Sequence, residues 1–255
     1  MEFKIPKIIH YCWFGKGQKP KAVIECINSW KKQLPDYRII EWNENNFDIN
    51  SNKYVQKAYL SKKYAFVSDY VRLHALYHHG GIYMDTDVEV IKNLDAFLNQ
   101  EAFSGFESNN YISAGILGSI RNHPWIKRLL FYYENVSFER EDGSLDTTTN
   151  TMTITAITNS EYGLKFGNYK QILNIEGNKV NIYPSDYFCA KDWKTKILNV
   201  TENTYTIHHF AGSWLPKKTY YEKMRAEFKT FSINAFKNIL GEKTYIRFKK
   251  VFQIF

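Results

Sequence analysis

A chain of 255 residues, 44% hydrophobic and 24% charged, has room for one large α/β domain with a substantial core, and too little for two full domains. Its formal charge of +8 is unevenly placed: positions 215–255 carry eight Lys and two Arg against three Glu, or +7, which leaves about +1 for everything before them. A near-neutral body with a basic tail argues against nucleic acid bound across the main domain, and points to an anionic membrane or an acidic partner at the tail.

Ile5 to Trp13, IPKIIHYCW, reads as a first strand with Ile8 and Ile9 at its core, and FGKGQKPK after it as a loop. A first strand of a nucleotide-binding α/β domain delivers its C-terminal end to the ligand crevice, which predicts Tyr11, Cys12 and Trp13 there. Val23, Ile27 and Trp30 have helical spacing over Ala22 to Lys32, and a second strand follows from Tyr37 to Trp42. The Asn-rich run Asn43 to Asn52 is a loop, and Lys53 opens a helical region. Next comes FVSDYVRLHALYHHGGIYMDTDVEV, Phe66 to Val90, around which the rest is organised. Ser68 can cap a helix beginning near Asp69. That helix is apolar on most of its circumference and therefore buried. Asp69 and Arg72 are three apart and share a face. Charges on a buried helix are costly unless paired or coordinated. His78 and His79 end the helix, Gly80 and Gly81 turn the chain, and Ile82 to Met84 form a buried strand. Asp85-Thr86-Asp87 lies at its mouth. Two carboxylates one residue apart make a hard-oxygen site: one can bind a divalent cation directly, the other through water or a ribose hydroxyl. Such an ion can neutralise a diphosphate leaving group. A solvated turn is the plain alternative for the tripeptide alone.

The run SDYVRLHALYHHGGIYMDTDV resembles the sugar-nucleotide-binding signature of the family-32 glycosyltransferases, which include bacterial capsule and O-antigen transferases and the yeast initiating mannosyltransferases. The large clostridial glucosylating toxins have a related core. The resemblance implies a GT-A type nucleotide-diphospho-sugar fold: an α/β domain with a mixed, mostly parallel sheet flanked by helices. It also implies metal-dependent transfer with retention of anomeric configuration. IPKIIHYCWFG resembles the family's opening motif, whose aromatic stacks on the nucleotide base, and Trp13 is the candidate.

Further along, Val88 to Ile91 reads as a strand, Leu94 to Leu98 as a short helix or turn, and Ala102 to Glu107 as a strand. Tyr111 to Ser119 is apolar and Gly-broken, and resembles the family segment lining the acceptor side. His123-Pro124-Trp125 starts a helix. Between Thr147 and Thr158 lie seven Thr, where members of the family tend to have a Thr-Gly-Pro run; Asn150 is a possible donor-sugar ligand. Asn181 to Phe188 resembles a late family turn near the active site. In TIHHFAGSW, Thr206 to Trp214, the family pattern puts a metal ligand five residues before the Trp, which is His209, and sets Trp214 near the leaving phosphate, with Ser213 beside it. From Lys217 onward, apolar spacings of three, four and seven with Lys and Arg between them indicate amphipathic helices. These either lie on an anionic membrane or pack on the domain with a solvated basic face.

The resulting expectation is a catalytic domain over 1–214 and a basic helical tail over 215–255. The reaction is transfer of a hexose from a nucleotide-diphospho-sugar, UDP-linked by preference, to a glycan or lipid-linked oligosaccharide for capsule or O-antigen. Asp69 and Arg72 hold the donor sugar, and Asp85 and Thr86 lie along the sugar or ribose. Asp87 and His209, with Asp85 more weakly, hold Mn²⁺ or Mg²⁺, and Trp13 and Tyr11 face the base. Two other readings stay open: a phosphatase with Asp85 as nucleophile and Asp87 as acid/base, and a glycan- or nucleotide-binding protein without turnover. Cys12, Cys26 and Cys189 are odd in number and widely spaced, which fits neither a disulfide framework nor a zinc pattern and suits a reducing compartment. The opening MEFKIPKIIH has no apolar stretch of a signal peptide, and no window approaches 18 apolar residues. The expected location is cytoplasmic, peripheral on the inner face of the plasma membrane.

Overall fold

The computed structural model describes residues 3–212. The readings that concern Ser213, Trp214 and the tail lie outside those residues.

Ten strands and six α-helices are described. In chain order they are β1 (Ile8–Cys12), α1 (Lys21–Gln33), β2 (Arg38–Trp42), α2 (Lys53–Leu60), α3 (Tyr64–His79), β3 (Gly81–Met84), β4 (Val88–Val90), β5 (Ala102–Ser108), β6 (Tyr111–Ile112), β7 (Ile116–Ser119), α4 (Pro124–Glu134), α5 (Asn150–Tyr162), β8 (Gln171–Ile175), β9 (Asn178–Tyr183), α6 (Ser185–Phe188) and β10 (Thr206–His208). The main sheet runs β2-β1-β3-β7-β5-β9-β8, with β6 paired to β5. Strands β1, β2, β3, β5 and β9 point one way, and β7 and β8 the other. This is the expected mixed, mostly parallel sheet. A separate antiparallel pair joins β4 to β10.

Strand alternation splits the core in two. Tyr83 and Cys12 face one layer with α2, α3, α4 and α5, where Val55, Val71, Leu129 and Ile154 are buried. Ile82, Met84, Ile9 and Tyr11 face the other, with Ile27 and Trp30 of α1 and Phe188 of α6. The sheet is thus covered on both faces, as parallel strands require.

One local reading is corrected, and two elements had no reading from the sequence. Helix α3 starts at Tyr64, about a turn before the expected start, and Ser68 is inside it: its hydroxyl donates back to the Tyr64 carbonyl instead of capping. Helix α5 forms across the Thr-rich run despite the poor helix propensity of Thr. Thr149 caps it by accepting from the Met152 N–H, and Thr155 and Thr158 turn their hydroxyls onto the carbonyls of Thr151 and Ile154. Strand β8 is an edge strand that the sequence pattern did not reveal.

The turn into β3 depends on glycine. Gly81 has φ of +104°, and a Cβ there would stand 2.7 Å from the Ile8 carbonyl oxygen. The close approach lets β3 lie against β1 and carries Asp85 out at the C-terminal edge of the parallel strands, where α/β sheets bind ligands.

Candidate active site

Asp85 leaves β3 on the same side as Tyr83, two residues earlier, because side chains alternate along a strand. The Tyr83 hydroxyl donates to Asp85 Oδ1 at 2.9 Å. The backbone N–H of Asp85 donates to the carbonyl of Gly115, just before β7, which fixes where the carboxylate emerges. Arg72 of α3 lies across this corner. Its Nη2 bonds Asp69 Oδ1 at 3.0 Å, its Nη1 bonds the Ala114 carbonyl at 2.6 Å, and that Nη1 is 3.4 Å from Asp85. The guanidinium also sits over the Tyr83 ring, 4.6 Å from its centroid. Asp69 and Arg72, singled out as a pair on one helix face, are therefore joined, and joined to Asp85 as well.

Asp87 is held from the other side. β10 pairs with β4, so His208 lies opposite Val88. Its Nε2 reaches Asp87 Oδ1 at 3.2 Å, and the Ala211 N–H donates to Asp87 Oδ2 at 2.7 Å. His209, the expected ligand, turns its ring to Glu89 at 3.0 Å while its N–H donates to the Asp87 carbonyl. Adjacent residues on a strand point to opposite faces, so only one of this pair can face the carboxylates, and it is His208.

Asp85, Asp87 and His208 each offer one ligand atom, and these atoms lie within 4.8 Å of one another. The chemistry of the set suits a divalent ion: two hard carboxylates with one imidazole. Two further observations fit a group waiting for a ligand. His208 is buried, and its Nδ1 has no hydrogen-bond partner among the described residues. Gly115 leaves room for that ring: a Cβ there would stand 2.8 Å from His208 Cε1 and 3.4 Å from Asp85 Oδ2.

The electrostatics follow from burial and pairing. Burial opposes charge on both His208 and Asp87, but each supplies the other's counter-charge. The imidazole is raised and the Asp87 carboxyl is lowered from their ordinary values. Asp69 is pushed up to about 7 by burial, with Arg72 pulling against the shift and Asp85 adding to it. Glu107, at the end of β5, is likewise pushed up to about 7 by burial, with His208 opposing and Asp85 reinforcing. Sequence reasoning missed Glu107, Tyr83 and His208. Tyr83 was findable, since it shares the strand face of Asp85. Glu107 and His208 depend on pairings that no local pattern reveals. Cys12 also faces this corner, but burial pushes its thiol up to about 12, so it is no thiolate nucleophile.

The other expected residues lie in several places. Trp13 follows β1 with its indole N–H on the Gly17 carbonyl and Lys19 over its ring. Tyr11 packs edge-to-face on Trp30 and donates to Glu41, so its ring belongs to the core on the α1 side and does not face the carboxylates. Thr86 is half-buried between the two aspartates. Asn150 is buried at the start of α5, donating to the Tyr133 hydroxyl and to the Asp69 carbonyl, while its Oδ1 has no partner among the described residues.

Residues 20–104 match the family model described as the glycosyltransferase sugar-binding region containing the DXD motif. Inositol phosphoceramide mannosyltransferase 3 of Schizosaccharomyces pombe is 30% identical over 130 residues, 49% of this chain and 36% of that protein. Mannosyl phosphorylinositol ceramide synthase CSH1 of Saccharomyces cerevisiae is 31% identical over 146 residues, 51% of this chain and 37% of that one. The matches thus span little more than a third of these fungal proteins. Among solved structures, the PaToxG glycosyltransferase superposes with a TM-score of 0.48 at 17% identity, covering 62% of this chain and 70% of that one. Residues 20–104 are thus similar to the DXD-containing glycosyltransferase sugar-binding region, and Asp85-Thr86-Asp87 is the Asp-x-Asp within the matched stretch.

Proposed function

We propose that this chain transfers a hexose from a nucleotide-diphospho-sugar to a hydroxyl of a glycan acceptor, metal-dependently and with retention of configuration. The observation that carries the reading is the convergence of Asp85, Asp87 and His208 beside the Asp69–Arg72 pair, at the C-terminal edge of β3. Asp85, Asp87 and His208 would hold a divalent ion of the Mn²⁺ or Mg²⁺ type, which would supply Lewis-acid stabilisation for a departing diphosphate. Arg72 keeps its charge because Asp85 and Asp69 outweigh the burial that opposes it. From that position it can bridge the donor sugar and its phosphate. Asp69, part protonated near neutrality, can both donate to and accept from sugar hydroxyls. Trp13 is assigned to the base, and Asn150 to the donor sugar through its unspent Oδ1. No protein nucleophile is invoked; the leaving phosphate takes the acceptor proton. Residues 1–214 are assigned to catalysis.

The acceptor is assigned to a cavity of about 580 Å³ lined by Glu107, Asn110, Tyr111, Asp186 and Trp193, with Cys189 at its wall. Glu107 and Cys189 both act on the His208 imidazole, so this cavity adjoins the carboxylate–imidazole group. Aromatic rings among amides and carboxylates suit a polyhydroxylated ligand. A UDP-sugar is the first choice of donor. The names of the two fungal relatives favour mannose as the second reading.

The test is a panel of UDP- and GDP-sugars, with and without Mn²⁺, read by thermal shift and by donor hydrolysis. The expected result is one donor that stabilises the fold only with metal and is slowly hydrolysed. Silence across the panel, or hydrolysis indifferent to metal, contradicts the reading.

A further inference from the structure

Two loops border the acceptor cavity: Asn168 lines it from one, and Trp193, Lys194 and Ile197 from the other. The second loop, 191–200, is unusual in what it exposes. Trp193 is 43% exposed, Ile197 65%, Leu198 51% and Val200 50%. Single exposed apolar residues need no explanation, but four within eight positions do. The loop is also ordered by its own hydrogen bonds. Asp192 accepts from the backbone N–H groups of Lys194 and Thr195 and from the Thr195 hydroxyl, its own N–H donates to the Ile197 carbonyl, and Lys191 bridges Leu198. The one acid of the loop is thus turned inward to build the turn. Its three lysines, Lys191, Lys194 and Lys196, face no other acid within the loop.

The other loop repeats the pattern. Phe166 and Tyr169 are about half exposed, Lys165 and Lys170 flank them, and positions 163–172 hold no acid. The Gly167 N–H on the Asn109 carbonyl and the Asn168–Ser185 hydrogen bonds fasten this loop to the cavity wall. The cavity therefore has carboxylates and amides in its lining, from Glu107, Asp186 and Asn110, with Trp193, Lys194 and Ile197 beside them, and the loops that supply Asn168 and Trp193 also expose Phe166, Tyr169, Leu198 and Val200. Aromatic and aliphatic groups with lysine are the residues that sit at the boundary between lipid headgroups and acyl chains.

We propose that the rim formed by residues 165–172 and 191–200 docks on an anionic lipid surface and opens the cavity towards it. The polar floor then meets a headgroup while Trp193, Ile197, Leu198 and Val200 enter the interface. The rim residues are other than those of the basic tail in the sequence, and no helix among the described residues is long and apolar enough to cross a membrane. Docking stands on the rim alone; its use in presenting an acceptor rests on the transferase reading. A link back to the site is present, since the Lys196 ammonium lies over the Phe210 ring, and Phe210 stacks on His208 with centroids 4.1 Å apart.

The experiment is flotation of the full chain with vesicles of phosphatidylcholine containing phosphatidylglycerol, against vesicles of phosphatidylcholine alone. Wild type is expected to float with the anionic vesicles, less so in high salt, because the lysine part of the attraction is screened. Leu198→Ser with Val200→Ser is expected to weaken partition by about tenfold or more, from lost insertion of apolar area. Lys165→Gln with Lys194→Gln is expected to weaken it for anionic vesicles only. The tail is identical in all of these chains, so binding through the tail alone predicts equal flotation of wild type and variants. That result overturns the proposal, as does a wild type that stays in solution. Mn²⁺-dependent donor binding, followed on the same samples, keeps the two readings apart. A chain that binds donor but ignores vesicles refutes the rim alone; one that floats and ignores every donor refutes the transferase reading alone.

Discussion

Gly115 is the position where one added methyl group does most harm to the site. A Cβ there would lie 2.8 Å from His208 Cε1, and that ring cannot retreat, being buried and stacked on Phe210. Gly115→Ala is expected to leave the sheet folded and to weaken Mn²⁺ binding about tenfold or more, within the range for disturbing the shell around a metal ligand. A Mn²⁺ titration with the Asp87→Ala variant as reference reads this, and an unshifted curve contradicts the assignment. The adjacent histidines give a sharper contrast. His208→Ala removes a member of the group around Asp87, whereas His209→Ala removes a half-exposed contact to Glu89. Metal-dependent turnover is expected to fall by roughly 10²-fold in the first, on the scale of losing one preorganised electrostatic group, and to change little in the second. Equal losses would mean that the register of β10 on β4 does not decide which imidazole serves the site.

At the scale of elements, α4 and α5 are joined by a polar contact inside the core. The Trp125 indole N–H donates to the Thr158 hydroxyl at 3.0 Å, and both residues are fully buried. Thr158→Val keeps the shape and strands the donor, so stability is expected to drop by about 1–3 kcal/mol in urea unfolding. A neutral result would show that the indole finds another partner. His123 caps α4, its Nδ1 accepting from the Trp125 N–H, and burial pushes its pKa down to about 4. Between about 6.5 and 4, the unfolded chain takes up a proton that the native ring refuses, so stability falls as the pH falls. His123→Ser retains a capping oxygen and lacks this proton uptake. Its stability relative to wild type is therefore expected to rise between pH 7 and pH 4.5, and a constant difference contradicts the linkage. These elements also show where the sequence could be read. Helix α1, strand β2, strand β3 and the start of α4 follow from apolar spacing, Gly-Gly and His-Pro, all of them local signals. Helix α5 was obscured because seven Thr read as poor helix formers, and only back-bonded hydroxyls and burial against β6 make the helix. The Asp69–Arg72–Asp85 corner was legible in part, since two of its members share a helix face. Glu107 and His208 arrive through long-range pairing, which carries no signature in the residues beside them.

For the whole molecule, the site depends on two separate sheets meeting. The main sheet delivers Asp85 from β3 and Glu107 from β5, and the β4–β10 pair delivers His208 to Asp87. Neither sheet alone completes the carboxylate–imidazole group, so metal binding and docking of β10 on β4 are expected to stabilise each other. Mn²⁺ should then raise the melting temperature of the wild type and leave Asp87→Ala unmoved. The most direct test of the account is hydrolysis of the stabilising nucleotide-sugar as a function of Mn²⁺, measured on wild type and on Asp87→Ala of equal helical content. The account predicts saturable metal dependence in the wild type and a loss on the order of 10²–10³ in the variant at every metal concentration. Hydrolysis by Asp87→Ala at the wild-type rate would contradict it.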